Sequence, residues 1–213
     1  MIPPERWLEA ALETHLRVVR QAVDAQRRLI LLAAETIAAC LTQGGKVLLF
    51  GNGGSAADAQ HFAAEFVNRF RFDRPPAAAV ALTTDGSVVT SIANDSRFEQ
   101  VFARQVLALG RPGDVAWAFS TSGESPNVLA GIAAARERGL RTIALTGRGG
   151  RLARAGADIV LRVESTDPPR VQEAHQLLGH LICGLAEERL FGAAAEAFGS
   201  PPPTSTRERP GSP

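Results

Sequence analysis

Cysteine is almost missing from the 213 residues: Cys40 and Cys183 are the only two, and no C-x-x-C spacing offers a thiolate zinc site. Both sit in apolar helical sequence and read as small buried hydrophobes of a reducing compartment. Lysine is scarcer still, with Lys46 alone; every other fixed cation is arginine, a bias that carries no functional message. The net charge is only +1, which gives no basic surplus for nucleic acid or an anionic membrane surface. No uninterrupted apolar run approaches the ~20 residues of a membrane span. Residues 1–7 lack the apolar centre of a signal peptide. The expectation is a cytoplasmic protein whose partners include neither nucleic acid nor membrane.

What is present suits one α/β domain. The composition is 45% hydrophobic and 21% charged, ordinary for a globular chain, and the length allows one well-buried core. Residues 5–41 read as helix, with Leu8, Leu12, Leu16, Val19 and Val23 at spacings of three and four. The stretch 29–41 is apolar on more than one face and needs broad cover, from its own domain or from another subunit. Gln43-Gly44-Gly45 ends this segment. Short apolar runs at 46–50, 78–82, 115–119, 142–145 and 159–163 then alternate with helical sequence, the pattern of a parallel sheet covered on both faces. A last helix is expected over 170–191. The domain is expected to occupy 1–192, with 193–213 a disordered Pro-rich tail; 200–213 holds no apolar residue other than proline.

Two loops carry ligand-binding character. Gly51-Asn52-Gly53-Gly54-Ser55-Ala56 joins the first strand to a helix, where glycines allow close backbone approach and the helix N-terminus offers free N–H groups. Its spacing formally fits the dinucleotide fingerprint. However, the acidic residue near the required distance, Asp73, lies in a polar turn among Arg69, Arg71 and Arg74 and not at a strand end. Ser120-Thr121-Ser122-Gly123-Glu124-Ser125-Pro126 follows the third strand and concentrates hydroxyl and N–H donors suited to a phosphate monoester. Ser125 before Pro126 also reads as an ordinary helix cap. Ligands gather at the carboxyl ends of such strands.

Polar side chains also appear where packed helices rarely place them. His61 and Glu65 are four apart and share a helix face, able to converge on a metal or on one substrate carbon, or else to form a plain exposed pair. His180 lies in the apolar stretch 177–185, where an imidazole must hydrogen-bond or ligate something. Gln172 is two turns earlier, about 80° round the helix; His175 and Gln176 are competing candidates on the same helix.

Together with Ala93-Asn94-Asp95 and Leu145-Thr146-Gly147, and with Gln172-Glu173-Ala174-His175, these motifs resemble the phosphoheptose isomerases in order and spacing over residues 5–191. The resemblance implies a sugar-isomerase (SIS) α/β fold: a single domain with a five-stranded parallel sheet flanked by helices and a long N-terminal helix. It implies a homotetramer with sites between subunits, and one Zn2+ per subunit held by His61, Glu65, Gln172 and His180. Substrate contacts are implied at Asn52, Gly53, Gly54, Ser55, Asn94, Asp95, Ser120, Thr121, Ser122, Ser125 and Gln172. The chain departs from the family at Pro169, where some members carry an aspartate; Asp167 is close but not aligned.

The activity implied is the isomerisation of D-sedoheptulose 7-phosphate to D-glycero-D-manno-heptose 7-phosphate, the first step of heptose precursor biosynthesis. Glu65 would be the general base forming an enediol, and His180 the acid exchanging protons with the sugar oxygens. One rival has the same fold without catalysis, a tetrameric adaptor of the chromosome replication initiator. Asn68-Arg69-Phe70, Ile92-Ala93-Asn94-Asp95 and Leu190-Phe191 resemble that branch as much, whereas the resemblance implies that Glu65 and His180 set the isomerases apart from it. A sugar-phosphate-sensing regulator is the third reading, and no DNA-binding segment supports it.

Overall fold

The structure is a computed structural model that describes residues 3–197. Its elements run α1 (Pro4–Asp24), α2 (Arg27–Thr42), β1 (Val47–Gly51), α3 (Gly54–Val67), β2 (Ala79–Ala81), α4 (Gly86–Asp95), a 3-10 turn (Phe98–Gln100), α5 (Val101–Leu109), β3 (Val115–Ser120), α6 (Pro126–Glu137), β4 (Arg141–Thr146), α7 (Arg151–Arg154), β5 (Ile159–Arg162) and α8 (Pro168–Ala197). Alternate residues of the strands feed two cores. Val47, Leu49, Val115, Trp117 and Phe119 point to the layer of α1, α2, α3 and α8. Leu48, Phe50, Ala116 and Ala118 point to the layer of α5 and α6. Strands buried on both faces have no polar side to show, which is why they read as continuous apolar runs.

All strand pairs are parallel, in the order β2-β1-β3-β4-β5. The order in which strands are added therefore reverses between β1 and β3. The loop leaving β1 goes to one side and the loop leaving β3 to the other, and the crevice between them is where this topology binds ligands. The five-stranded parallel sheet and its flanking helices are those expected from the sequence.

The expected N-terminal helix is two helices. Gln26 leaves helical geometry at φ −130° and ψ 17°. Its buried amide donates to the Ala22 carbonyl at 3.0 Å and to the Arg162 carbonyl at 2.9 Å, and accepts from the Arg162 N–H at 2.6 Å. The chain breaks there to be pinned to the sheet edge, with no glycine or proline to mark it. The last helix starts earlier than expected, with Pro168 and Pro169 in its first turn, where their missing N–H groups cost nothing. It also runs on to Ala197, past the expected end at Phe191. The remainder of the expected tail, 198–213, lies outside the described residues. No helix among the described residues is long and apolar enough to cross a membrane.

Candidate active site

The first loop turns on Gly53, whose φ of +54° and ψ of −121° suit glycine and place it as the N-cap of α3. Asn52 and Asn127 exchange amide hydrogen bonds at 2.8 Å in both directions, tying this loop to the start of α6 across the crevice. Gly53 and Gly54 are exposed and Asn52 half-buried. Ser55 is buried beneath the turn against Gly51. A cavity of about 160 Å³ opens beside the loop, lined by Asn52, Gly53, Ala56, Thr83 and Phe98 among others. Asn94 and Asp95 stand exposed at the end of α4, bonded to each other at 2.8 Å, and do not line it.

In the second loop the Ser120 and Ser125 hydroxyls face each other at 3.2 Å, and Ser120 Oγ accepts the Gly123 N–H at 3.1 Å. Ser125 sits at the N-cap of α6 without making a side-chain cap bond, so its hydroxyl is turned toward the loop and away from the ordinary capping role. Ser122 is exposed and Thr121 half-buried. Glycines of the following strand-helix connection pack beneath: a Cβ on Gly147 would lie 2.2 Å from the Thr121 carbonyl oxygen, and one on Gly149 1.6 Å from that of Ser122. The sequence motif around Leu145-Thr146-Gly147 is thus a floor for the serine loop.

The polar residues of α3 and α8 meet between the two helices. Phe62, Ala63 and Phe66 of α3 are buried against the sheet, as are Val171, Ala174, Leu178 and Ile182 of α8. This leaves His61, Glu65 and His180 on the flanks of both stripes, facing one another. His61 Nε2 is 2.7 Å from His180 Nε2 and 3.5 Å from Glu65 Oε1. The close approach rests on Gly179, where a Cβ would fall 2.0 Å from Phe62 Cζ. Aromatic rings hold His180 in place: it stacks on Phe70 at 5.4 Å and 11°, and meets the edge of Phe62 at 5.6 Å and 85°. Burial, and then the neighbouring His61, push the His180 imidazole below its ordinary value, with the Glu65 charge pulling the other way. Its neutral form, able to ligate or to pass protons, is the favoured one.

The three side chains offer ligand atoms within 4.8 Å of one another. Two neutral imidazoles and a carboxylate are donors suited to a divalent transition metal. Around a tetrahedral ion at ~2.0–2.1 Å, nitrogens stand roughly 3.3 Å apart, so the 2.7 Å pair would open only slightly to admit one. The donor set fits a metal. Gln172 lies elsewhere on the same seam: its amide rests on Gly54, where a Cβ would come 2.5 Å from Nε2. Gly54 precedes His61 by seven residues, roughly 10 Å along the axis, so Gln172 sits between the first loop and the trio and is not gathered into it.

Several contributors carried no clear sequence signal. Asp58, three residues before His61, is buried, accepts from the Gln176 amide through Oδ1 and leaves Oδ2 without a partner. Burial raises its pKa, against the Gln176 hydrogen bond and the His61 charge. The competing candidates on α8 separate cleanly: Gln176 serves Asp58, and His175 is fully enclosed near Phe119, beside the Thr146 backbone. An open hollow of about 490 Å³ adjoins His180, walled by Phe70, Arg71, Leu181 and Leu185.

Comparison with known proteins shows the family. A family model described as SIS domain matches residues 12–147. The phosphoheptose isomerase of Burkholderia pseudomallei (strain K96243) is 51% identical over 177 residues, covering 82% of this chain and 90% of that protein. The structure of phosphoheptose isomerase from Neisseria gonorrhoeae superposes with a TM-score of 0.82 at 44% identity, covering 87% of this chain and all (100%) of that one. That of a phosphoheptose isomerase from Francisella tularensis gives 0.84 at 36%, covering 88% and 100%. The family-model match and relatives at these identities and coverages show that the chain belongs to the SIS-domain family, in its phosphoheptose isomerase branch.

Proposed function

We propose that the protein interconverts D-sedoheptulose 7-phosphate and D-glycero-D-manno-heptose 7-phosphate through an enediol, the first step in making heptose precursors. The observation that carries this is the convergence of a carboxylate and a partly buried, ring-clamped imidazole, Glu65 and His180, from helices 115 residues apart in sequence numbering. A non-catalytic adaptor has no use for it. The substrate reacts at C1 and C2 and carries phosphate on C7, so its two ends need separate sites. The serine loop and the trio supply them, with Gln172 between.

Glu65 takes the proton from the carbon beside the carbonyl and returns it to its neighbour. His180, kept neutral by burial, exchanges protons with the flanking oxygens. Ser120, Thr121, Ser122 and Ser125 hold the 7-phosphate with the N-terminus of α6. Asn52, Gly53, Gly54, Asn94, Asp95 and Gln172 bind the hydroxyls; Ser55, buried with its N–H on the Asn52 carbonyl at 2.9 Å, shapes the turn instead of touching substrate. His61, Glu65 and His180 would hold one Zn2+ per subunit, which would stabilise charge on the enediolate oxygen; Gln172, the fourth ligand implied by the sequence, rests about two turns away on Gly54.

Leu8, Leu12 and Leu16 lie exposed on α1, at 62%, 60% and 55%, and support a homotetramer in which a second copy covers them. The two buried free cysteines support a cytoplasmic setting. The test is incubation with sedoheptulose 7-phosphate, with and without a chelator. Appearance of the aldoheptose that the chelator suppresses is expected; no aldoheptose under either condition would refute the reading.

A further inference from the structure

Below the trio lies an ion pair that the chemistry above does not use. The side chains of Arg74 and Glu187 are each only 2% exposed, with Arg74 Nε donating to Glu187 Oε1 at 2.9 Å. The Glu187 carboxylate also accepts the backbone N–H groups of Phe70 and Arg71, both at 2.8 Å. The rest of the guanidinium turns to α3: Nη2 donates to the Glu65 carbonyl at 2.6 Å, and Nη1 to that of Phe66 at 2.6 Å and of Pro75 at 2.9 Å. The Phe191 ring lies 5.2 Å from the guanidinium carbon.

The last carbonyls of a helix have no partner within it. Here one arginine takes two of them at the end of α3, and one is that of Glu65. The carboxylate on α8 meanwhile fixes the backbone of Phe70, whose ring is the platform for His180. A buried ion pair contributes little net stability compared with a well-packed apolar replacement. What this pair supplies is position, because it touches the backbone of Glu65 and the residue stacked on His180 at once. Arginine is needed for this: its planar fork serves three directions, whereas one lysine ammonium cannot reach Glu187, Glu65 and Phe66 together.

We propose that Arg74 and Glu187 are positioning residues that hold Glu65 and His180 in register across the α3–α8 seam, a reading that rests on the isomerase function above. The test compares Arg74→Lys and Phe70→Leu with wild type by kcat and KM on sedoheptulose 7-phosphate, by zinc affinity in competition with a chromogenic chelator, and by thermal melting. For Arg74→Lys the expectation is a kcat about 10–100-fold lower, KM within about threefold, and zinc bound about tenfold or more weakly, at a melting temperature lowered by several degrees because buried carbonyls lose their donor. Phe70→Leu leaves the ion pair intact and changes a half-buried ring, so it folds whether or not Arg74→Lys does; a kcat and zinc affinity about tenfold lower are expected. Wild-type kcat and zinc affinity in Phe70→Leu, or in a folded Arg74→Lys, would overturn the proposal. A wild-type protein inert toward the sugar but binding zinc defeats the functional reading alone, and the zinc comparison then judges the brace. If it neither turns over nor binds zinc, both fall.

Discussion

Replacing Gly179 with alanine probes the geometry at its tightest point. The added methyl would lie 2.0 Å from Phe62 Cζ and 2.5 Å from both Cε atoms. Carbon atoms rest at about 3.5–4.0 Å, so ring and helix must part by roughly 1.5 Å. Phe62 cannot retreat, being fully buried and stacked on Trp117 at 5.4 Å and near Phe119 at 5.6 Å. The strain passes to α8, and His180 is the next residue. Overpacking of this kind costs about 1–3 kcal/mol, offset by the roughly 0.5–1 kcal/mol that alanine gains over glycine inside a helix, so the variant folds. Metal coordination tolerates only about 0.2 Å of error in ligand distances, and a shift of roughly 1.5 Å carries His180 well beyond the roughly 0.6 Å opening that a metal itself requires. The expected outcome is zinc affinity and kcat about 10–100-fold below wild type, with a melting temperature only a few degrees lower. Turnover and chelator competition read the first two, and thermal melting the third. A folded Gly179→Ala with wild-type kcat and zinc affinity would refute the claim that this contact sets the site.

Acid stability tests the assignment of the other buried histidine. Full burial holds His175 down at about 4 against an ordinary 6.5, only partly opposed by the Thr146 backbone. The unfolded chain takes a proton that the folded one refuses. Stability is therefore complete above 6.5 and falls as pH drops through 6.5 toward about 4, by about 3 kcal/mol in all. In urea titrations at several pH values, His175→Leu should flatten that fall, and an unchanged slope would contradict the assignment. On α1, Leu12→Glu places a charge in the exposed apolar stripe; light scattering should show a smaller assembly, and an unchanged mass would exclude that stripe as the subunit contact.

The sheet was legible because strands buried on both faces read as apolar runs, and the two loops because glycine and serine sat directly after them. Of the candidate ligands, His61 and Glu65 were legible as an i,i+4 pair, and His180 as an imidazole among leucines. Periodicity alone could not choose His180 over His175, since both fall in apolar helix; the choice depends on Gly179 and on which ring Phe70 covers. The break at Gln26 depends on Arg162, 136 residues away, and the Arg74–Glu187 pair spans 113. No local pattern announces such partners. Gln172 shows the same limit: helical spacing puts it within about 80° of the His180 face, but contact with Gly54 stations it about two turns short of the trio.

The most direct measurement is turnover by Glu65→Gln, which keeps the shape of the side chain and removes its basicity. Loss of the isomerisation by about 10²–10⁴-fold is expected, with sedoheptulose 7-phosphate still binding through the serine loop. Turnover within about threefold of wild type would contradict the account, because the carboxylate facing His61 and His180 would then not be the base.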